Sequence, residues 1–336
     1  MNKNARWAFW IAGILLFAFF PKAAGIYYSN IVISTAVWAL FAVSLNLLLG
    51  FTGLLSFGHA IYFGTGAYGT ALALTHVDGL SFFSAIAAGS LCSMLLSLVL
   101  APVVVRVSGT AFAMIHLAFA QCMFVLALKF RNITGGEDGV SGFSIPEIRI
   151  PGSRLLELTD PALFFYVSIS TIVLTLLFLW FVIQTPFGQI MVGTRDNPKR
   201  VEYLGFHVSH TKAVVYVLAA GSAGVAGAVS AMHQGLVAVN DAYGMMISVL
   251  PIMIVMVGGA RSFFGPIYGA VFFAFLEEYV TAYTDKFELI LGIVLIVFIM
   301  YWPLGLAGIF LKLKFKWLTR RRLFRPSGQR KTDEYS

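Results

Sequence analysis

A chain of 336 residues that is 59% hydrophobic and 11% charged, with a mean hydropathy of +0.86, lies outside the soluble range of roughly 45–50% apolar and 25% charged residues, so lipid is its solvent. The formal charge of +8 does not point to nucleic acid, because nine of the 23 basic residues fall between Lys312 and Lys331, directly after the last apolar run, as a cytoplasmic anchor does. A β-barrel is excluded as well: runs such as Leu95 to Val105 (LLSLVLAPVVV) are apolar on every side, whereas a barrel strand alternates apolar and polar residues.

The expected fold class is therefore all-α, a polytopic transmembrane helical bundle. No Asp, Glu, Lys or Arg occurs from Ala23 to Val77, and further charge-free runs cover 79–105, 107–128, 161–194, 213–240 and 289–311. Each is long enough for the roughly 20 apolar residues that cross a bilayer. The first 25 residues resemble a signal peptide, but the many spans that follow favour an uncleaved first span. About ten spans are expected, at 7–21, 29–49, 54–76, 82–105, 110–130, 162–183, 213–237, 242–260, 262–283 and 287–311. The glycine-rich 54–76 and the short 242–260 could instead be re-entrant; eight full spans plus a re-entrant hairpin keep the same parity. The transmembrane domain thus covers 1–311, followed by a basic tail at 312–336.

Loop charge orients the bundle. The tail is cytoplasmic, and four spans back the segment 184–212, with Arg195, Lys199, Arg200 and Lys212 against Asp196 and Glu202, is cytoplasmic too. One span earlier, 131–160 carries three basic against five acidic residues and suits the outer face. Lys3 and Arg6 then lie inside, so both termini are cytoplasmic.

Catalytic motifs are absent. No G-x-x-x-x-G-K-[ST], H-E-x-x-H, C-x-x-C or G-x-S-x-G occurs, no cofactor or metal site is expected, and no cytoplasmic stretch is long enough for a nucleotide-binding domain. Cys92 and Cys122 lie inside spans and read as small buried groups. Gly58, Gly64, Gly66 and Gly69, with Gly221, Gly224 and Gly227, read as positions where helix backbones approach. Asn46, His59, His116, Gln121 and His233 are polar groups at membrane depth, each needing a partner. Glu277 and Glu278 fall near the outer end of a span and read as interfacial. Between Gly188 and Gly205, Asp196 or Asn197 can cap a short helix that starts at Pro198 and ends in a left-handed Gly205. That helix carries Val201 and Leu204 on one stripe and lies flat on the cytoplasmic surface. An echo between the segments from Ser56 to Tyr68 and from Ser262 to Ala270 places two parallel segments six spans apart, which does not match an inverted five-plus-five repeat.

That loop, with Arg195-Asp-Asn-Pro198, Arg200, Glu202, Gly205 and Lys212, resembles the coupling loop of LivM-type permeases, the membrane subunits of branched-chain amino acid ATP-binding-cassette importers. Three further blocks are similar to that family: Gly53 to Ala60 (GLLSFGHA) with Phe63 to Tyr68; Gly109 to Met114, Leu117 to Gln121 and Thr134 to Gly139 (TGGEDG); and Gly258 to Gly269 (GGARSFFGPIYG). His116, and Glu137 in the TGGEDG turn, depart from the family pattern. The resemblance implies a permease that translocates branched-chain or related small hydrophobic amino acids across the bacterial inner membrane. It also implies a homologous second permease subunit, two cytoplasmic ATPases that hold the ATP, and a periplasmic substrate-binding protein. ATPase coupling would then fall on Arg195, Asp196, Asn197, Arg200, Glu202 and Gly205, and the substrate path on Asn46, His59, His116 and Gln121. Relatives for urea or aromatic acids and a stand-alone channel or carrier are the competing readings; a carrier needs intramembrane carboxylates that no span holds centrally.

Overall fold

The computed structural model describes residues 3–77, 79–143, 160–284, 286–302 and 305–308. The basic tail at 312–336 and most of the expected external loop, with Glu147, Arg149, Arg154 and Glu157, lie outside the described residues. The chain is an all-α polytopic membrane protein. Among the described residues, six helical segments are long and apolar enough to cross a membrane: Gly25–Phe51, Phe82–Val104, Thr110–Lys129, Pro161–Gln184, Val208–Gln234 and Val239–Gly258.

The expected spans 7–21 and 29–49 fall on one element, α1 (Lys3–Asn46), bent at Gly25 where φ is +82°. It runs into a π-helical turn, Leu47–Phe51. The next span was expected from 54, but α2 (Ala60–His76) begins six residues later. Gly53 has φ +73° and breaks the helix, and Gly58 lies so close to His116 that a Cβ would meet its carbonyl oxygen at 2.0 Å. The chain there is held by contact with another helix and not by its own turns.

Then follow α3 (Phe82–Val104), α4 (Thr110–Lys129), the single turn α5 (Arg131–Thr134) and α6 (Pro161–Gln184). Ser81 caps α3 and Asp160 caps α6, whose first residue is proline. The loop forms two helices, α7 (Pro186–Asp196) and α8 (Pro198–Tyr203). Only the second was expected. After α9 (Val208–Gln234), ended by left-handed Gly235, come α10 (Val239–Tyr243), α11 (Met245–Gly258), α12 (Gly265–Thr281) and α13 (Phe287–Tyr301). Two residue pairs, β1 (Val140–Ser141) and β2 (Leu236–Val237), join antiparallel at the end of α9.

Two helices form the centre: the apolar span windows of α1 and α9 are 67% and 72% buried, against 28% for α3, α4 and α6. They touch each other and run antiparallel. Helix α9 packs on α2 and α3, and α1 packs on α11 and α12. Each central helix therefore carries the hairpin that follows the other one in sequence, an exchanged, inverted arrangement of two halves. The echoing segments fall on α2 and α12, which do not correspond in this pattern; its counterparts are α2 with α11 and α3 with α12.

The glycines expected at helix contacts are there. Gly66 lies on Gly224, with a Cβ reaching 2.4 Å from the Gly224 oxygen, and Gly227 lies on Phe63. Cys92 and Cys122, by contrast, are exposed on α3 and α4. In lipid an apolar residue gains nothing by turning inward, so a small apolar group at membrane depth is not thereby buried.

Candidate functional site

Three of the four candidate path residues are sealed inside the bundle. Asn46, His59 and His116 each have 0% exposure, and the elements that bring the two histidines together are the start of α2 and the first half of α4. His59 Nε2 is 2.8 Å from Ser44 Oγ on α1. Because Ser44 donates its own hydrogen to the Phe41 carbonyl at 2.6 Å, the imidazole donates from Nε2, which leaves Nδ1 a bare acceptor without a partner. The opposite tautomer holds at His116. Its Nδ1 lies 3.3 Å from the Phe112 carbonyl and must donate there, so Nε2 accepts from Tyr216 OH at 2.8 Å. Tyr216 in turn accepts from Tyr62 OH, with which it is in close contact. A single donor-to-acceptor line thus runs from Tyr62 through Tyr216 and His116 to the Phe112 carbonyl.

Neither tyrosine was singled out in the sequence. The signal was available, since a hydroxyl at membrane depth on α2 and on α9 needs a partner as much as an imidazole does. Because Tyr216 both accepts and donates, Tyr216→Phe is expected to cost more than Tyr62→Phe. The first leaves two buried groups unpaired, at about 1–3 kcal/mol each when fully desolvated, though hydrogen bonds between membrane helices average nearer ~0.6 kcal/mol. Thermal unfolding in detergent checks the order; equal losses would mean that the line is not directional.

Above this cluster lies an aromatic stack. Trp38 is parallel to Phe63 at 6.1 Å, Phe63 touches Phe41 at 4.8 Å, and Phe41 is stacked on His59 at 5.4 Å. Gln121 is elsewhere, exposed on the outer face of α4 with Met114 and Val125. Among the described residues, no group of three or more His, Cys, Asp or Glu side chains converges to hold a metal.

The loop residues form a second site. Asn197 caps α8 by accepting from Arg200 N at 3.1 Å, and Gly205 adopts φ +87° just past its end. Val201 is buried against the bundle, but Leu204 is 69% exposed, so the two do not share a buried stripe: the helix stops at Tyr203 and Leu204 turns outward with Tyr203 and Phe206. Arg200, Glu202 and Asp196 are exposed around it. Arg195 is half-buried. Its Nε donates to Asp196 Oδ1 at 2.9 Å and its Nη1 donates to the Gly50 carbonyl in the π-helical end of α1. The turn after α11 meets the same point, since a Cβ on Gly50 would strike the Ala260 oxygen, and Asn46 Nδ2 donates to the Ser262 carbonyl at 3.0 Å.

With this geometry in view, the likenesses are specific. The family model described as "Branched-chain amino acid transport system / permease component" matches residues 27–300. The high-affinity branched-chain amino acid transport system permease protein LivM of Salmonella typhimurium is 26% identical over 325 residues, spanning 91% of this chain and 73% of that protein. Its namesake from Escherichia coli is 26% identical over 290 residues, 81% of this chain and 68% of its own length. No solved structure matches the chain.

Proposed function

The chain belongs to the family of permease components of branched-chain amino acid transport systems, and from that premise we propose that it is the membrane subunit of an ATP-driven importer in the bacterial inner membrane. Its solutes are branched-chain or related small hydrophobic amino acids. ATP is bound and hydrolysed by two partner ATPases, a homologous permease subunit completes the membrane part, and a periplasmic binding protein delivers the solute. The chain crosses the bilayer about ten times with both termini cytoplasmic. Supporting a common side for three of the loops, Arg195 from 184–212 and the turn at 258–264, both expected on the cytoplasmic side, meet at Gly50 of the expected inner turn.

The observation that carries the coupling role is the Arg195 contact with Gly50. The end of α8 and the turn after it offer a partner the exposed Tyr203, Leu204 and Phe206, and Arg195 ties the base of that loop to the break between α1 and α2. A push on α8 reaches the helices that enclose His59. Solute meets His59 only after Trp38, Phe63 and Phe41 separate, so Asn46, His59 and His116 hold the closed state in this reading. Gln121, exposed near the middle of α4, finds its hydrogen-bond partner on the second permease subunit, since an amide at that depth is costly against lipid.

Co-purification in mild detergent with two ATPases, and leucine uptake into proteoliposomes only when ATP is supplied, test this function. Uptake by the isolated chain without ATP would make it a channel or carrier. Gly205 gives a finer test. At φ +87° a side chain is strained although nothing lies within 4 Å, so Gly205→Val is expected to distort the end of α8 at a cost of roughly 1–2 kcal/mol and to lower uptake per ATP hydrolysed. Unchanged uptake in that variant would remove Gly205 from the coupling site.

A further inference from the structure

A cleft of about 410 Å³ opens between α1 and α12. One wall is a stripe of α1, with Tyr27, Asn30, Ser34 and Trp38 spaced three to four residues apart so that they share a face. From Tyr27 to Trp38 the stripe descends about 16 Å at the helical rise. Opposite, Glu277 and Glu278 stand at the mouth, one turn from the end of α12, and Tyr27 OH donates to Glu278. Away from the mouth the lining is apolar, formed by Trp38, Ala270 and Phe273. Ser34 and Trp38 also line a smaller cavity of about 160 Å³ beside His233. Both cavities share Trp38, the first ring of the aromatic stack that closes the way to His59.

The chemistry of this lining selects among ligands. A lipid tail gains nothing from two carboxylates and a hydroxyl and amide stripe. A calcium ion takes six to eight oxygens, and among the described residues no third acidic side chain joins Glu277 and Glu278 to hold one. An anion is repelled at the mouth. What matches is a small molecule with a cationic head, a hydrogen-bonding group beside it and a compact apolar tail, in a concave and mostly apolar pocket with a few placed polar groups. We propose that this cleft is a binding site of the permease for the free aliphatic amino acid, with the ammonium group at Glu277 and Glu278, the carboxylate at Asn30 and Ser34, and the side chain on Trp38, Ala270 and Phe273. The proposal rests on the transport function above and names where the solute waits before the stack opens.

Spheroplasts carrying the assembled complex but stripped of the binding protein provide the test. In a background with Cys92→Ser and Cys122→Ala, Thr35→Cys, on the same wall but with no part in holding the solute, is labelled with a membrane-impermeant maleimide; Leu250→Cys, which lines the cleft from α11, serves if Thr35→Cys does not assemble. L-leucine at ten times its Kd is expected to slow labelling roughly ten-fold, whereas 4-methyl-2-oxopentanoate, which lacks the ammonium group, leaves it unchanged. Glu277→Gln with Glu278→Gln is expected to abolish the protection. Labelling indifferent to leucine, in cells whose intact system takes up leucine with ATP, overturns the site and leaves the transport function standing. Equal protection by the oxo acid overturns recognition of the ammonium group. Protection by leucine without any ATP-driven uptake sustains the site and removes the importer reading instead.

Discussion

Arg195→Ala is expected to leave the protein in the membrane at near-normal levels while lowering ATP-driven uptake by about ten-fold or more. The loop is joined to the rest of the chain at this point through one guanidinium that bonds in two directions, to Asp196 beside it and to the Gly50 carbonyl across the fold. A hydrogen bond from a charged donor contributes about 1.5–3 kcal/mol, and each ~1.4 kcal/mol withheld from a conformational step is roughly a factor of ten in its rate. Alanine leaves the Gly50 oxygen without this donor and the loop free to move without α1. Arg195→Lys is informative because lysine keeps the charge but is a single point, unable to hold Asp196 and Gly50 together through a planar fork. It should therefore recover only part of the uptake. ATP hydrolysis by the assembled complex is measured in parallel: hydrolysis that persists while uptake falls locates the defect in coupling. Loss of both in equal proportion would mean that Arg195 holds the complex together and transmits nothing.

Gly66→Val is expected to damage the bundle severely, with little protein surviving detergent extraction. Carbon atoms rest about 3.5–4.0 Å apart, whereas a Cβ at 66 would lie 2.4 Å from the Gly224 oxygen and 2.5 Å from its Cα. The atoms in the way are backbone, so no rotamer change relieves the clash. Helices α2 and α9 must separate by about 1 Å or more, and α9 also carries α3 through Gly224 against Ser93. Overpacking of an ordinary core costs about 1–3 kcal/mol; this contact is at the centre of three helices and should exceed that range. Gly292→Ala on α13 is the matched control. Nothing lies within 4 Å of its Cβ position, and alanine favours a helix interior by about 1 kcal/mol over glycine, so that variant should be as stable as the parent or slightly more so. Folded yield by size-exclusion chromatography separates the two. Comparable yields for Gly66→Val and the parent would show that α2 and α9 do not pack as closely as described.

These two sites differ in how much of them could be read from residues in order. The cap at Asn197, the proline at 198 and the left-handed Gly205 involve neighbours in sequence, and their chemistry is local, so the short helix was legible. The first helix of the loop, Pro186–Asp196, was not expected, although proline at its first position was a start signal. The close approach of Gly66 to some other helix was legible as well, but not that the partner is Gly224. Arg195 stood out by its motif, yet nothing in the sequence near either residue points to Gly50, 145 positions away. The candidate path residues show the same division. Their polarity at membrane depth was plain, while their fate was divided by tertiary contacts: His59 and His116 are sealed by Phe41, Tyr62 and Tyr216, and Gln121 is on the outer face of α4.

The sequence by itself determined the solvent, the helical class and the family, because charge-free length, loop charge and motif order are properties of consecutive residues and are read without knowing what touches what. It also marked the glycines at which helices meet. Only the tertiary structure decided which halves exchange hairpins, that both cysteines are exposed, and that a polar stripe of α1 faces Glu277 and Glu278 across a cleft. The physical reason is the absence of water. In a soluble chain an apolar residue announces the core, but in lipid the same residue is equally at home on either side of a helix. Which face turns inward is then settled by close packing and by the pairing of a few polar groups, and those partners come from distant parts of the chain.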